Sequence, residues 1–283
     1  MKHRGLTKTR AMPSGCLFIA ISLSSQVLAN GEVKAYTQQT STASCSFKTM
    51  HNWDNMCDAF YSEVVASPVF DADGHTNDSG NPSLFTDPDH VAGGVDNLNL
   101  DDADVAIACM HGSDQGANGW SGKFRNSWNG DCKVRRQNLS LGEIDLEQLF
   151  LSSCNSMNKS DITVWNDGAD PTANGVHGTH GFHGVMYISS GETPRYEDAA
   201  DDAVNVMIRT GWLSLFSDDW NGPGGDADDQ CPVTVSWGDT EDEAMTRLDY
   251  NLVDSFNDSD DPVAHWRATL GIGGCDPAGE VAF

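Results

Sequence analysis

The sequence has few basic residues, and beyond its N-terminus it has no long hydrophobic run. Its 283 residues contain 16 Lys and Arg against 42 Asp and Glu, which gives a formal net charge of −26. Because such a surface repels phosphate backbones, nucleic acid is a poor partner. A membrane-spanning helix needs ~20 consecutive apolar residues, which no later segment supplies, so we expect no membrane partner either. The excess of acid favours solubility and cation binding instead.

The N-terminus has the layout of a secretory signal. Basic residues and no acid precede an apolar run at 16–23, and this run leads to Val27-Leu28-Ala29, a small-x-small cleavage pattern. The apolar run is too short to span a membrane. We therefore predict a signal peptide over residues 1–29 and a secreted or periplasmic mature protein.

Cysteine pairing is the next constraint, because export leads to an oxidising compartment where disulfides form. Seven cysteines lie beyond the predicted signal peptide, and an odd number leaves at least one thiol unpaired or paired with another chain. We expect Cys45 and Cys57 to pair, since they are close in the sequence. Cys132, Cys231 and Cys275 lie in turn-like surroundings and are candidates for further bridges.

Apolar runs and helical spacing indicate one α/β domain over residues 96–283. The runs at 105–110 and 146–151 are bounded by polar residues, as in strands buried on both faces of a parallel sheet. Further predicted elements are a strand at 184–191, a helix at 199–216, a short strand at 231–237 and a helix at 242–256. Residues 30–95 are polar, so we predict an irregular N-terminal region that is either packed on the core or a propeptide.

Two reactive side chains follow the two buried strands. His111 comes directly after the first run, and Cys154 follows the second. If the strands are neighbours, both side chains project from the carboxyl edge of the sheet, where ligands bind in open α/β folds. A thiol beside an imidazole can become a thiolate, which is the nucleophile of acyl transfer. Gly112 leaves room for a substrate backbone, and Ser153 is small enough to keep the thiol approachable.

This pattern resembles the caspase–gingipain–legumain group of cysteine peptidases, in which one apolar strand ends in His-Gly and another in a small residue and Cys. The matching segments here are ACMHG and LFLSSC. The resemblance implies a caspase-like three-layer sandwich with a mainly parallel sheet, and a peptide or protein substrate. It also implies that His111 is the general base or acid, that Cys154 is the nucleophile, and that the Gly112 amide helps to hold the oxyanion.

A wider stretch, from about 95 to 250, is similar to an uncharacterised family of secreted bacterial domains. The similarity rests on an Asp-rich lead at 101–104, the strands ending in His-Gly and Cys, a Gly-x-His … Gly-Phe-His segment at 175–183, and the tryptophans Trp212 and Trp237. This family carries no activity over to the chain. It therefore supports the architecture more than the peptidase hypothesis.

Aromatic and histidine side chains are candidates for the substrate pocket. We expect Trp120, in a Gly/Asn-rich loop, and His183, in a loop entering the third strand, to join Ser153 in lining it. His177, His180 and His183 could also bind zinc. However, a spacing of three places neighbours on opposite faces of a strand, and no nearby cysteine or acid completes the ligand set.

Calcium is the one cofactor that the composition suggests, although the expected reaction requires none. Asp71, Asp73 and Asn77 offer oxygen ligands on a predicted loop kinked at Gly74, and a second acidic loop lies at 226–229. The sequence thus leaves two functions open. One is a secreted cysteine peptidase-like hydrolase, and the other is a non-catalytic secreted binding domain of caspase-like fold, stabilised by calcium. Substrate preference and oligomeric state stay open as well.

Overall fold

The structure is a computed structural model that describes residues 30–165, 172–214, 230–258, 266–272 and 275. The predicted signal peptide and the acidic loop at 226–229 lie outside these residues. The described strands are β1 (Gly31–Thr37), β2 (Phe70–Asn77), β3 (Val105–Cys109), β4 (Gly112–Asp114), β5 (Trp120–Trp128), β6 (Asp131–Arg135), β7 (Gln148–Ser152), β8 (Gly178–His183), β9 (Cys231–Gly238) and β10 (Trp266–Gly271). The described α-helices are α1 (Trp53–Ala66), α2 (Thr193–Asn205), α3 (Ile208–Ser214), α4 (Glu241–Arg247) and α5 (Leu252–Phe256).

Seven of these strands form one sheet, in the order β10-β9-β8-β7-β3-β1-β2. Within this sheet, the neighbours β2, β1, β3, β7 and β8 pair in parallel, whereas β9 pairs antiparallel with both β8 and β10. A smaller antiparallel sheet contains β4, β5 and β6. The prediction of an α/β fold with a mainly parallel sheet is therefore confirmed. No helix in the described part of the chain is long and apolar enough to cross a membrane.

The large sheet is buried on both faces, and β3 shows how. Val105, Ile107 and Cys109 face a core formed with α1, α2 and α3, while Ala106 and Ala108 face a second core. The second core contains side chains of β5 and β6 together with short irregular segments. Because successive strand residues point to opposite faces, a strand packed on both sides has to be apolar throughout. This is the physical reason for the continuous apolar run at 105–109.

The N-terminal region contributes regular elements to the sheet, whereas the sequence predicted an irregular region over 30–95 that is packed on the core or is a propeptide. β1 lies between β2 and β3 and pairs in parallel with both. α1 follows β1 and buries Trp53, Cys57, Phe60 and Val64, which share one helical face. The division of the chain between residues 95 and 96 is therefore absent from the fold. A propeptide here would have to remove β1, which lies inside the sheet between β2 and β3.

Three other predicted elements differ in their bounds. The predicted strand at 184–191 is replaced by β8, and the apolar residues after it are irregular. The predicted helix at 199–216 is divided between α2 and α3, because the backbone of Ile208 donates to the Tyr250 carbonyl instead of continuing α2. The predicted helix at 242–256 is likewise divided between α4 and α5.

Three disulfides connect the described cysteines, and the predicted Cys45–Cys57 pairing is wrong. The disulfides are Cys45–Cys132, Cys57–Cys109 and Cys231–Cys275. They close separations of 87, 52 and 44 residues, so each joins segments that meet only in the folded sheet. Among the described cysteines, Cys154 alone is free.

Candidate active site at the carboxyl edge of the sheet

The two predicted reactive residues lie at one edge of the sheet, on neighbouring strands. β3 and β7 are adjacent and parallel, and Cys109 pairs in register with Ser152. His111 and Cys154 each come two residues after this pair. Cys109 packs in the core beneath the helices, and the Cys154 side chain packs against the same core. The imidazole and the thiol therefore belong to the same edge and the same face of the sheet.

Gly112 fixes how closely the two strand ends approach each other. A Cβ atom at this position would lie 2.0 Å from the carbonyl oxygen of Cys154 and 2.3 Å from Oγ of Ser153. It would also lie 2.7 Å from Nε1 of Trp120. Only glycine allows this contact, because all three distances are shorter than real Cβ contacts. The His-Gly dipeptide is thus pressed against the backbone of the cysteine.

The His111 imidazole is held on three sides. Its Nε2 is hydrogen-bonded to the backbone carbonyl of Lys48. Its ring lies edge-on to Trp53 of α1 at a centroid distance of 4.7 Å and 5.2 Å from the ring of Phe47. Because a carbonyl only accepts, Nε2 carries the proton in the neutral ring, and Nδ1 is left as the base. Burial, together with the nearby Lys123 and Lys48 charges, lowers the pKa of His111 and keeps it neutral.

The Cys154 thiol is partly buried and contacts the segment that follows β8. Its Sγ accepts from the Met186 amide at 3.4 Å and approaches the Met186 carbonyl at 3.6 Å. Burial raises the pKa of this thiol, and the Met186 amide opposes that effect in part. The resting pair is therefore a neutral imidazole and a protonated thiol. A thiol of this kind needs a general base when it attacks a carbonyl, and within the described residues no hydrogen bond joins it to His111.

The three residues expected in the substrate pocket lie in the interior. The Trp120 indole N–H donates to Oγ of Ser153 at 3.0 Å, and both side chains are fully buried. His183 ends β8 and is also buried, with its Nδ1 accepting from the Lys159 amide at 3.3 Å. These buried side chains pack beneath the strand ends that carry His111 and Cys154 and do not line an open pocket. His183 occupies the carboxyl end of the strand next to β7, at the same edge as Cys154.

The three histidines considered as zinc ligands belong to β8 or directly precede it. His180 is fully buried, with Nε2 2.8 Å from Oε1 of Gln148 and Nδ1 3.3 Å from Oγ1 of Thr234. Burial lowers its pKa to about 3, so the ring is neutral. His177 and His183 do not join it in a ligand set within the described residues.

The predicted calcium loop is a strand instead. Asp71, Asp73 and Asn77 all belong to β2, at the edge of the sheet. Asp73 forms an ion pair with Lys34 on β1, which engages one of the three oxygen ligands. The predicted loop geometry is thus wrong, because pairing with β1 extends this polar segment. Calcium binding itself stays a prediction.

A different acidic cluster lies at the amino ends of β3 and β7, on the side of the sheet opposite to the carboxyl ends. Asp104 precedes β3, and Asp145 and Glu147 precede β7, so that one oxygen from each lies within 4.8 Å of the others. The Glu32 amide donates to Asp104. Burial and the neighbouring carboxylates raise the pKa of Glu147 to about 10 and that of Asp104 to about 6, so Glu147 keeps its proton at neutral pH. The signal in the sequence was an acid just before each of two apolar runs.

A hydroxyl–imidazole–carboxylate chain also lies near the carboxyl edge and was missed from the sequence. Oγ1 of Thr37 is 2.9 Å from Nε2 of His75, and Nδ1 of His75 pairs with Asp58 of α1. Thr37 is fully buried, so its hydroxyl has no access to a substrate. This chain ties β1, β2 and α1 together.

A family model described as "Domain of unknown function (DUF6345)" matches residues 35–268. A comparison with curated proteins finds no match. The family match begins within β1 and ends within β10, so it covers both edges of the large sheet and not only the stretch from 95 to 250.

Proposed function

We propose that this chain, which belongs to the DUF6345 family, is a cysteine peptidase-like hydrolase that transfers the acyl group of a peptide bond to Cys154. One observation carries the proposal. Gly112, directly after His111, packs against the backbone carbonyl of Cys154, and both lie just beyond the carboxyl ends of the neighbouring parallel strands β3 and β7. The caspase-like character of the fold is part of the same proposal, supported by the two strand ends in His-Gly and Ser-Cys.

The first step forms an acyl-enzyme. The Cys154 sulfur attacks the peptide carbonyl carbon while its proton moves to Nδ1 of His111. The carbon–nitrogen bond then breaks, and the same proton passes from His111 to the leaving amine. In the second step, water attacks the thioester and gives a proton to His111, which returns it to the departing Cys154 sulfur. The products are an amine and a carboxylic acid, and no redox partner is needed.

The oxyanion formed in both steps needs a donor, and the ladder between β4 and β5 supports Gly112 in that role. The Lys123 amide donates to the His111 carbonyl at 2.8 Å, so His111 and Lys123 face each other as a hydrogen-bonded pair. Gly112 pairs with Gly122 at the next position. Antiparallel ladders alternate, so the Gly112 amide points away from β5 and is open to a substrate oxygen.

A non-catalytic binding domain is the second candidate function. The observation in its favour is that burial raises the pKa of the Cys154 thiol and that both polar contacts of the sulfur go to Met186. A thiol of this kind reacts slowly unless a base takes its proton. In this alternative, the same edge binds a ligand without cleaving it. Calcium would then stabilise the domain.

Trapping of the nucleophile separates the two candidates. We expect a mixture of peptidyl chloromethyl ketones to label Cys154 alone in the non-reduced protein, as located by mass spectrometry. His111→Ala should slow the labelling about 100-fold, since it removes the base, whereas His51→Ala on the exposed loop should leave it unchanged. Cleavage of a peptide pool should disappear in Cys154→Ala. Equal labelling of wild type and His111→Ala, with no cleavage by the wild type, would favour the binding domain.

We also propose that the protein works in the extracellular space or the periplasm. The three disulfides support this, because such bonds persist in oxidising compartments. The N-terminal signal predicted from the sequence adds to the same proposal. Fractionation of expressing cells, with the N-terminus of the recovered protein determined, tests both points.

A further inference from the structure

A cationic cavity lies beside His111. It has a volume of about 260 Å³, and its walls include Phe47, Lys123 and Lys133. Phe47 contacts the ring of His111, and the backbone amide of Lys123 donates to the His111 carbonyl. The cavity and the proposed catalytic base therefore share their supporting residues. Its volume is below that of a pocket for a drug-sized ligand, so it suits one side chain of a longer ligand.

The two lysines of the cavity face each other across strands β5 and β6. Lys123 pairs directly with Lys133 in the antiparallel register, so the two side chains lie on the same face of the small sheet. Like charges directly opposite each other destabilise a sheet. Within the described residues, neither ammonium group has a carboxylate within the 4.0 Å of an ion pair, although the chain has 42 acidic residues against 16 basic ones.

The acid that borders the cavity already has a cationic partner. Asp131 also borders the cavity, and its carboxylate pairs with Arg135 at 2.6 Å. The pairing with Arg135 and hydrogen bonds from the backbone outweigh burial and lower the pKa of Asp131. The cavity thus keeps the two positive charges of the lysines, and the exposed Lys48 lies next to Phe47 in the same loop.

The walls of the cavity are fixed covalently. Cys45 and Cys132 both border it, and their disulfide joins the loop with Phe47 and Lys48 to strand β6. Oγ1 of Thr42 donates to the Arg125 carbonyl at 2.9 Å and ties the loop to β5 as well. A site built on fixed elements holds its charges at a set distance, which favours recognition of a particular group.

We propose that this cavity binds a carboxylate side chain of a peptide, which makes acidic peptide segments the substrate class of the hydrolase. The substrate role rests on the proposed function, whereas the binding role does not. Two ammonium groups without a counter-charge, in a chain of strong negative charge, form a local field that attracts a carboxylate. Phe47 lies between the cavity and His111, so a bound acidic side chain leaves the flanking peptide backbone near the proposed base.

Binding is measured by titration calorimetry on the Cys154→Ala protein, which cannot turn the ligand over. The probes are two capped hexapeptides that differ only in Glu or Gln at the two central positions. We expect the Glu peptide to bind about 10- to 100-fold more tightly, because hydrogen bonds to charged groups carry this much discrimination. Added sodium chloride should reduce the difference.

Two variants show whether the lysines cause the preference. Lys123→Met combined with Lys133→Met should abolish the difference between the Glu and Gln peptides. Arg267→Met should preserve it, because this exposed residue lies on β10, four strands away from β3. Lys123→Gln combined with Lys133→Gln repeats the test with polar side chains, and melting curves show that each variant is folded. An undiminished preference in either double variant would overturn the proposal.

Two further outcomes separate this inference from the proposed hydrolase. If the wild type cleaves no peptide but the Cys154→Ala protein distinguishes Glu from Gln, the hydrolase fails and the acidic-peptide site stands. If the wild type cleaves both peptides equally well, the hydrolase stands and the site proposal fails. Inorganic phosphate is titrated in parallel. Binding of phosphate as tight as that of the Glu peptide would show a site for free anions and overturn the peptide assignment.

Discussion

Adding a single methyl group at Gly112 should disturb the fold and the proposed site together. In Gly112→Ala, the new Cβ would lie 2.0 Å from the Cys154 carbonyl oxygen, whereas an ordinary contact begins at 3.4 Å. One of the two strand ends must therefore move by about 1.4 Å. Overpacking of this kind costs about 1–3 kcal/mol. For a chain of this size, that lowers the melting temperature by about 2–12 °C.

The same displacement moves Cys154 relative to His111. A misplacement of about 1 Å can cost roughly 100-fold in rate, so labelling of Cys154 by a peptidyl chloromethyl ketone should slow by about that factor. Gly191→Ala is the matched control, because its Cβ would meet one side-chain oxygen at 3.5 Å and fits. Differential scanning calorimetry and labelling kinetics are measured on both variants. A Gly112→Ala protein that melts and labels like the wild type would show that the His-Gly dipeptide does not pack on the cysteine.

Three further perturbations test the surroundings of the site. Replacing both Cys57 and Cys109 by Ser should lower the free energy of unfolding in denaturant by about 4 kcal/mol, and removing the Cys231–Cys275 disulfide should lower it by a similar amount. Only the first change should slow the labelling of Cys154, because it frees the helix that carries Trp53. Trp120→Phe leaves the buried Ser153 hydroxyl without its donor and should cost about 1–3 kcal/mol, seen as a lower melting temperature. Glu147→Gln should raise the free energy of unfolding at pH 8 and not at pH 4.5, because the raised pKa of Glu147 makes the folded wild type hold a proton that the unfolded chain releases above pH 4.5. The gain is at most about 1.4 kcal/mol for each pH unit, and the exposed control Glu241→Gln should show no such gain.

The buried strands and the unpaired thiol were predictable from the sequence. A run such as 105–109 has only one stable environment, between two apolar layers, so β3 and β7 could be assigned from their composition. The odd cysteine count predicted a thiol outside the disulfides, and the structure identifies it as Cys154. The placement of His111 and Cys154 at one edge followed from these two strands.

The elements that were missed depend on partners far away in the chain. β8 contains glycine and histidine, which suggest a loop, yet Gly178 and Gly181 are needed because a Cβ there would lie 2.2 and 2.3 Å from side-chain oxygens of neighbouring segments. β2 is polar because it lies at the edge of the sheet, where β1 is its single neighbour among the described strands. The disulfide partners are 44 to 87 residues apart, and spacing alone contains no information about such contacts.

The position of β1 in the sheet has a consequence for the order of folding. Val33 pairs with Val105, so the first strand of the described chain gains one of its two neighbours only after more than 70 further residues have been synthesised. Parallel pairings of this separation are slow to form, because the loop between them must close before any contact repays its entropy. Until then, β1 presents an unpaired apolar edge of the kind that chaperones protect. If the chain is exported as proposed, such a delay favours translocation of the extended strand before its sheet assembles.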